Sequence, residues 1–126
     1  MRLTDSEWQI MNALWDDHPA TARELSERLP DEVQWAYTTL KTMLSRLVKK
    51  GAVSERKRGN TSVYEPVTTR DRARRTAVTS LLERAFGGAA EPLLHFLASD
   101  RALSDGQKRR LAEILDAEES RGEDGA

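Results

Sequence analysis

The sequence of 126 residues contains no cysteine, and its only histidines are His18 and His95. Without thiols the protein can form neither disulfide bonds nor thiolate metal sites, and two histidines are too few for a histidine-rich metal cluster. No apolar run approaches the roughly 18 residues that a membrane span requires, and the N-terminus lacks the pattern of a signal peptide. We therefore expect a cytoplasmic protein with no metal, no cofactor and no membrane insertion.

Catalytic motifs are also missing from the sequence. It offers no Ser-His-Asp set, no glycine-rich phosphate loop and no metal-ligand spacing. The carboxylates near the N-terminus belong to the segment Thr4-Asp5-Ser6-Glu7, which has the form of a helix capping box and needs no catalytic explanation. We therefore predict that the protein is not an enzyme.

The net charge of −1 conceals an uneven distribution of charge along the chain. Between Ala36 and Ser62 the one acidic residue is Glu55, whereas the cations are Lys41, Arg46, Lys49, Lys50, Arg56, Lys57 and Arg58. From Gly87 onward, acidic residues outnumber basic ones. A basic patch on a nearly neutral protein indicates nucleic-acid binding through one surface.

The segment from Trp35 to Gly51 lies at the centre of this basic patch, and its helical period separates two faces. One face is apolar and contains Tyr37, Leu40, Leu44, Leu47 and Val48. The other face carries small hydroxyls and cations but no carboxylate, and contains Thr38, Lys41, Thr42, Ser45, Arg46 and Lys49. Small hydroxyls allow a helix to approach a polyanion closely, and Lys or Arg can reach phosphates and base edges. We predict that this segment is the recognition helix of a DNA-binding domain.

Two shorter helices are predicted before the recognition helix. Capping boxes at Thr4 and Thr21 start them, and the prolines Pro19 and Pro30 mark their ends. Three short helices with a basic third helix are typical of a helix-turn-helix domain. Stacking of bases on tryptophan is an alternative role for the aromatic residues, but helical spacing with leucines favours core packing for Trp8, Trp15 and Trp35.

A β-hairpin is predicted directly after the recognition helix. The segments 52–58 and 61–67 are strand-like and flank Gly59-Asn60, which suits a tight turn. A hairpin with cations at its end is the wing of a winged-helix domain. We expect the wing to contact DNA through Arg56, Lys57, Arg58 and Asn60.

The remaining sequence predicts three more helices, which are too small to fold alone but carry many apolar residues. They need a partner surface, and a second copy of the chain is the simplest one for a protein that reads a duplex. The expected interface residues are Leu81, Leu82, Leu93, Leu94, Phe96, Leu97, Leu111, Ile114 and Leu115. The predicted architecture is mainly α with a small β-hairpin wing: a winged helix-turn-helix domain at 1–68, a helical dimerisation domain at 69–118 and a disordered polar tail at 119–126.

Five motifs carry a resemblance to a known family: LTDSEWQIMNALW, WAYTTLKTMLSRLVKKG, GNTSVYEP, FGGAAEPLLHFLA and LSDGQKRRLAEIL. In this order they resemble the penicillinase-repressor family, the bacterial winged-helix repressors of β-lactamase and methicillin-resistance genes. The resemblance implies a transcriptional repressor of an antibiotic response that binds palindromic double-stranded DNA as a homodimer. It assigns the positions of base recognition to Tyr37, Thr38, Thr39, Lys41, Thr42 and Arg46.

The resemblance also bears on how repression ends. Copper-responsive relatives sense metal through a C-terminal cysteine cluster, which this sequence lacks. In the β-lactamase branch, a membrane metalloprotease sensor triggers cleavage at an Asn-Phe bond in the dimerisation region. The matching bond here joins His95 to Phe96, so the asparagine is replaced and this mode of release is an open question for the chain.

Two alternatives to an operator-binding repressor of this type remain open at the level of sequence. One is a regulator of the same fold that binds a small-molecule effector at the dimer hinge. The other is a winged-helix protein-interaction module whose basic face is incidental. Salt dependence separates the second alternative from DNA binding, because phosphate contacts make affinity steeply sensitive to salt.

Overall fold

The computed structural model describes residues 2–99 and 102–124 of the chain, with side chains described as far as residue 117. It contains six helices and one hairpin in the described residues. The elements are α1 Asp5–Asp16, α2 Ala22–Arg28, α3 Tyr37–Lys50, β1 Val53–Arg58, β2 Thr61–Pro66, α4 Arg70–Ala85, α5 Ala90–Ser99 and α6 Asp105–Asp124. The chain divides into two compact units, Met1–Thr79 and Ser80–Ala126. The first unit therefore includes the beginning of α4, whereas the sequence suggested a boundary after residue 68.

Reciprocal capping boxes start three of the helices, and the sequence predicted those of α1 and α2. Glu7 donates its backbone N–H to the Thr4 hydroxyl at 3.2 Å, and Thr4 N–H donates to the Glu7 carboxylate at 2.8 Å. These reciprocal bonds satisfy backbone donors that have no partner inside the first helical turn. The same arrangement joins Thr21 to Glu24 and Ser104 to Gln107.

The core of the first unit is formed by α1, α2 and α3 together with the base of the hairpin. Its fully buried side chains are Ile10, Met11, Leu14, Leu25, Leu40, Leu44, Leu47 and Val53. Trp15 and Trp35 are half-buried and pack against this core, and Trp8 lies against Trp15 with ring centroids 5.9 Å apart. The tryptophans therefore pack at the edge of the core, which supports a structural role for them.

Tyr37 differs from the sequence prediction. It was expected on the apolar face of the recognition helix, but 49% of it is exposed. Tyr37 is the first residue of α3, where it lines a groove beside the hairpin. Val48, on the same predicted face, is half-buried, and Leu40, Leu44 and Leu47 are buried.

The hairpin is antiparallel, with pairs from Val53↔Pro66 to Arg58↔Thr61. Gly59 adopts a left-handed φ of 66°, which a two-residue turn of this kind requires and glycine permits. A third segment joins the hairpin through Ala20, whose N–H donates to the Tyr64 carbonyl at 3.0 Å and whose carbonyl accepts from Tyr64 N–H at 2.8 Å. The hairpin is thereby attached to the loop between α1 and α2.

The second unit contains the end of α4 together with α5 and α6, and none of its described apolar side chains is fully buried. Six of its large apolar residues are between 36% and 57% exposed: Leu81, Leu94, Phe96, Leu111, Ile114 and Leu115. Leu82, Leu93 and Leu97 are half-buried.

The C-terminal segment differs from the expectation of a disordered tail at 119–126, because α6 continues to Asp124. Residues 119–124 contain two glutamates and one arginine, which favour a helix, together with one glycine. Residues 125 and 126 lie outside the described residues. No helix within the described ranges has the length and apolarity that crossing a membrane requires.

Candidate nucleic-acid interface

The face of α3 that points away from the core is polar and accessible. Leu40, Leu44 and Leu47 fix one side of the helix on the core, so the opposite side faces outward. The exposed residues are Thr38, Thr39, Lys41, Thr42, Ser45, Arg46 and Lys49. We call these seven residues the α3 face. The helix contains no carboxylate, so nothing on α3 neutralises the cations of this face.

The basic residues of the α3 face form no ion pair with any described residue. The same holds for Arg56, Lys57 and Arg58 of the hairpin. By contrast, Arg28 lies 3.3 Å from Asp17, and Arg70 lies 2.7 Å from Asp16. The cations of the α3 face and the hairpin are therefore available to an external anion, whereas Arg28 and Arg70 bind acids of the protein itself.

Lys50 is the exception on α3. Its ammonium group binds the carboxylate of Glu7, and it also donates to the Arg2 carbonyl at 2.9 Å. Glu7 is only 3% exposed. Burial alone would raise the pKa of Glu7, but the hydrogen bond from Lys50, the N–H of Thr4 and the charge of Lys50 together lower it below its ordinary value. Lys50 therefore connects the end of α3 to the start of α1.

The hairpin divides its cations between two sides. Successive residues of a strand point to opposite faces, so Arg56 and Arg58 share one face and Lys57 lies on the other. Lys57 lines a groove between α3 and the hairpin, and Asn60 lines it as well. The sequence predicted one cluster of cations at the tip, but the structure places Lys57 apart from the two arginines.

The groove between α3 and the hairpin has a volume of about 390 Å³ and no carboxylate in its lining. Lys41 lies 6.0 Å from the ring centroid of Tyr37 at one side of it. The groove is lined by Thr21, Ala22, Arg23, Tyr37, Lys41, Lys57, Asn60, Thr61, Ser62 and Tyr64. Sequence reasoning included Tyr37, Lys41, Lys57 and Asn60 but missed Arg23, Thr21, Ser62 and Tyr64. For the hairpin residues one signal was available in the sequence. A tight turn at Gly59-Asn60 pairs Ser62 with Lys57 across the two strands, so that both side chains lie on the same face of the hairpin.

Glu55, the one acid of the basic segment, is exposed and is hydrogen-bonded across the hairpin to the second strand. The Tyr64 hydroxyl donates to its carboxylate at 3.0 Å. The hydroxyls of Ser62 and Tyr64 lower the pKa of Glu55. Burial, followed by the hydrogen bond to Glu55, raises the pKa of Tyr64 to about 12. Glu55 therefore acts as a hydrogen-bond acceptor within the hairpin and does not occupy the groove.

The predicted residues of the second unit lie on its helices. His95 and Phe96 are on α5, where Phe96 is 48% exposed and the His95 ring nitrogen lies 3.8 Å from the Glu91 carboxylate. Exposed apolar side chains from α4, α5 and α6 supply the expected interface residues. Across the described part of the chain, no group of three acidic or histidine residues is placed to hold a metal ion.

Known proteins resemble the chain over most of its length. A profile of the penicillinase repressor family matches residues 3–117. The chain is 30% identical to the penicillinase repressor of Bacillus licheniformis over 95% of this chain and 94% of that protein. It is 34% identical to the transcriptional regulator BlaI of Mycobacterium tuberculosis, over 90% of this chain and 85% of that one. The methicillin resistance regulatory protein MecI of Staphylococcus aureus is 22% identical over 90% of the chain and 92% of its own length.

Two solved structures also align with part of the chain. The DNA-binding domain of the repressor BlaI is 31% identical, covers 56% of this chain and 90% of its own, and aligns with a TM-score of 0.49. The CopR repressor is 34% identical, covers 54% of this chain and 99% of its own, and aligns with a TM-score of 0.47. The family profile and the relatives at 30% identity and above cover nearly the whole sequence. On this evidence the chain belongs to the penicillinase repressor family.

Proposed function

We propose that the protein is a transcriptional repressor that binds a palindromic DNA operator as a homodimer. The observation that carries this proposal is the α3 face, where exposed hydroxyls lie beside cations that form no ion pair with a described residue, on a helix free of carboxylates. A helix in the major groove reads base edges through such side chains, and cations beside it contact phosphates. The names of the relatives, which include repressors and a transcriptional regulator, agree with this function.

Within this proposal the residues have two kinds of role. Tyr37, Thr38, Thr39, Lys41, Thr42 and Arg46 enter the major groove on α3, and Arg46 is the residue able to bind a guanine edge with two hydrogen bonds. Contacts to the phosphates on either side come from Lys49, Arg56, Lys57, Arg58 and Asn60. The separation of Lys57 from Arg56 and Arg58 supports contacts to two different phosphates.

The proposed dimer interface follows from the apolar residues of the second unit. Burial of each large side chain stabilises an interface by roughly 1.5–3 kcal/mol before ordering costs are subtracted. Three helices carry leucine, isoleucine and phenylalanine side chains that are exposed in the single chain. An apolar surface of this kind is typical of an interaction site, and a second copy of the chain would bury it against an identical apolar surface. The dimer would place two α3 faces on one operator.

Release from the operator is proposed to follow cleavage at His95–Phe96, in response to a membrane metalloprotease sensor or a signal downstream of it. Phe96 is half exposed on α5, and it belongs to the expected interface. Cleavage at this bond would divide α5 and remove apolar contacts from the dimer. The protein would then lose the second half-site and leave the DNA.

A selection of genomic fragments by the intact protein tests the function. The expected result is enrichment of an inverted repeat, with an affinity that falls steeply as salt rises. No enriched sequence and an affinity insensitive to salt would contradict the proposal. An affinity that does not change with salt would favour the winged-helix protein-interaction module. A small molecule that lowers operator affinity without cleavage would favour the effector-binding regulator.

A further inference from the structure

The first residue of α4 is bound to the end of α1 by several contacts at once. Arg70 donates through Nη2 to the Asp16 carboxylate at 2.7 Å and to the Asn12 carbonyl at 3.2 Å. Its guanidinium carbon lies 5.4 Å from the ring centroid of Trp15. Trp15 in turn donates its indole N–H to the Thr68 carbonyl at 2.9 Å. We call these five residues the α4 anchor.

The α4 anchor restrains both the position and the direction of the helix that follows it. Three kinds of contact hold the start of α4: a charge-assisted hydrogen bond, a cation over an aromatic face and an indole hydrogen bond. Each of them restricts a different movement of the helix start relative to α1. Thr69, between the two attached residues, caps α4 by accepting from Arg72 N–H at 3.1 Å. The start of α4 cannot pivot on the first unit without the loss of several of these contacts together.

The contacts that Arg70 makes are specific to arginine. Its side chain is about one-third exposed, and its buried Nε has no hydrogen-bond partner among the described residues, so burial of the guanidinium is not fully compensated by hydrogen bonds. Lysine would keep the charge and could donate to the same acceptors, which Arg70 reaches through one nitrogen, but it has no planar group to lie over the Trp15 ring. None of the five residues belongs to the α3 face or to the hairpin.

We propose that the α4 anchor determines the half-site spacing that the dimer accepts. This inference rests on the proposed function, because it requires two copies of α3 on one palindrome. Helix α4 continues without interruption from Arg70 to Ala85, into the unit that carries the expected interface. When the start of α4 is fixed on the DNA-binding unit, the dimer accepts one half-site spacing. When the start of α4 is free to move, the dimer tolerates several half-site spacings. Arg70, Trp15 and Asp16 are thus specificity-determining residues that do not touch DNA.

Half-site spacing is a sensitive readout because each base pair changes the geometry in two ways. One inserted base pair moves a half-site by about 3.4 Å along the helix axis. It also rotates the half-site by about 34°, since a helical turn contains about 10.5 base pairs. A rigidly connected dimer loses much of its second-site advantage under such a change, whereas a freely connected dimer does not.

The experiment is a selection from a random duplex library, performed with the intact wild-type protein, with Arg70→Gln and with Arg75→Gln. Arg75 is the matched control, because it is on the same helix and its loss removes the same charge together with an exposed ion pair to Asp71. Wild type and Arg75→Gln should select one spacing. Arg70→Gln should select the same half-site sequence at several spacings.

Titration with the selected palindrome and a copy that contains one extra base pair makes the comparison quantitative. Binding of the second half-site raises the affinity of a dimer by about 10²–10⁴, and the inserted base pair removes part of this gain. The loss of affinity caused by the insertion should be roughly tenfold smaller for Arg70→Gln than for wild type. Affinity for a duplex with a single half-site should be unchanged. If Arg70 only stabilised the fold, Arg70→Gln would lower the affinity for the palindrome, for the copy with the inserted base pair and for the single half-site by the same factor. That result would overturn the inference, as would a wild-type spacing preference in Arg70→Gln.

Two further variants keep the test decisive if Arg70→Gln folds poorly. Asp16→Asn removes the carboxylate from a side chain that is 70% exposed, and Trp15→Phe keeps a ring but removes the bond to Thr68. Each should relax the spacing preference in the same direction, and a preference unchanged in both would contradict the proposal. Failure of the proposed function is distinguishable, because wild type would then select no palindrome at all.

Discussion

Two adjacent lysines at the end of α3 have different environments, although both are cations in the last turn of the same helix. Lys50 binds the buried carboxylate of Glu7, whereas Lys49 is exposed and forms no ion pair with a described residue. The difference arises because successive helical residues point about 100° apart, so that one faces α1 and the other faces outward. The local environment of each cation therefore decides whether it can serve an external partner.

Arg46 is the residue of the α3 face for which we expect the largest effect on binding. Arg46→Ala should weaken operator binding by about 1–3 kcal/mol if its guanidinium contacts a guanine edge, and by less if it contacts phosphate alone. Gel-shift titrations on the operator and on a scrambled duplex measure the effect. Arg28→Ala is the control, because Arg28 is held by Asp17 and Glu24. Unchanged affinity of Arg46→Ala for both duplexes would remove this residue from the interface.

Glu7 should make stability depend on pH. Its pKa in the folded protein lies below the ordinary value of 4.5, so its contribution is complete above that value and is lost as the pH falls through the folded pKa. Glu7→Gln should lower the free energy of unfolding by about 1–3 kcal/mol at pH 7. We expect a value near the lower limit, because Lys50 is partly exposed and solvent weakens its attraction to Glu7. Urea denaturation of both proteins at neutral and acidic pH measures the difference.

The difference between wild type and Glu7→Gln should narrow on going from pH 7 to pH 3, where the wild-type carboxylate becomes protonated. Glu24→Gln is a suitable control, since Glu24 belongs to an equivalent capping box but is exposed. It should cost clearly less stability than Glu7→Gln at pH 7. A cost of Glu7→Gln that stays constant across this range would show that the charge of Glu7 does not stabilise the fold.

At the scale of elements, sequence patterns that act locally predicted the structure well. The capping residues Thr4 and Thr21 start helices through contacts within one turn, and the Gly59-Asn60 turn requires only its own backbone conformation. The exposure of Tyr37 and the inclusion of Arg23 in the groove could not be predicted in this way. They depend on how α2, α3 and the hairpin meet, which no single segment encodes.

The hairpin should supply affinity more than sequence discrimination. Replacement of Arg56, Lys57 and Arg58 by glutamine should weaken binding to operator and random DNA alike, because flexible cations at a turn suit phosphates better than base edges. The slope of log affinity against log salt should flatten by up to about three. Fluorescence anisotropy across a salt series measures this slope.

A control for the hairpin variant is Arg75→Gln, which removes an exposed cation outside the hairpin. It should leave the slope nearly unchanged. Loss of operator binding with full retention of random-DNA binding by the triple variant would show that the hairpin reads bases, contrary to this assignment.

At the scale of the whole molecule, the sequence indicated that the C-terminal helices need a partner, because their apolar residues exceed what so few residues can bury. Exposure of Leu94, Phe96 and Leu115 in the single chain is consistent with that argument. The sequence did not reveal the contacts of Arg70 and Trp15, because they join segments more than fifty positions apart. Long-range pairs of this kind leave no periodic pattern.

We propose that Phe96 links dimerisation to DNA binding. Phe96→Asp should shift the protein toward monomer in sedimentation and should lower operator affinity at the same time, because a charge cannot be buried in an apolar interface without a large penalty. Ser99→Asp adds the same charge at an exposed polar position on α5 and should change neither property. A Phe96→Asp protein that remains dimeric at micromolar concentration would place Phe96 outside the interface.

We propose that two copies of the chain bind one palindrome, each through its α3 face. The most direct test is to titrate the intact protein into the selected palindrome and into a duplex with one half-site scrambled. We expect two chains per palindrome and an affinity that falls by about 10²–10⁴ when one half-site is lost. One chain per duplex, with equal affinity for both DNAs, would contradict the account.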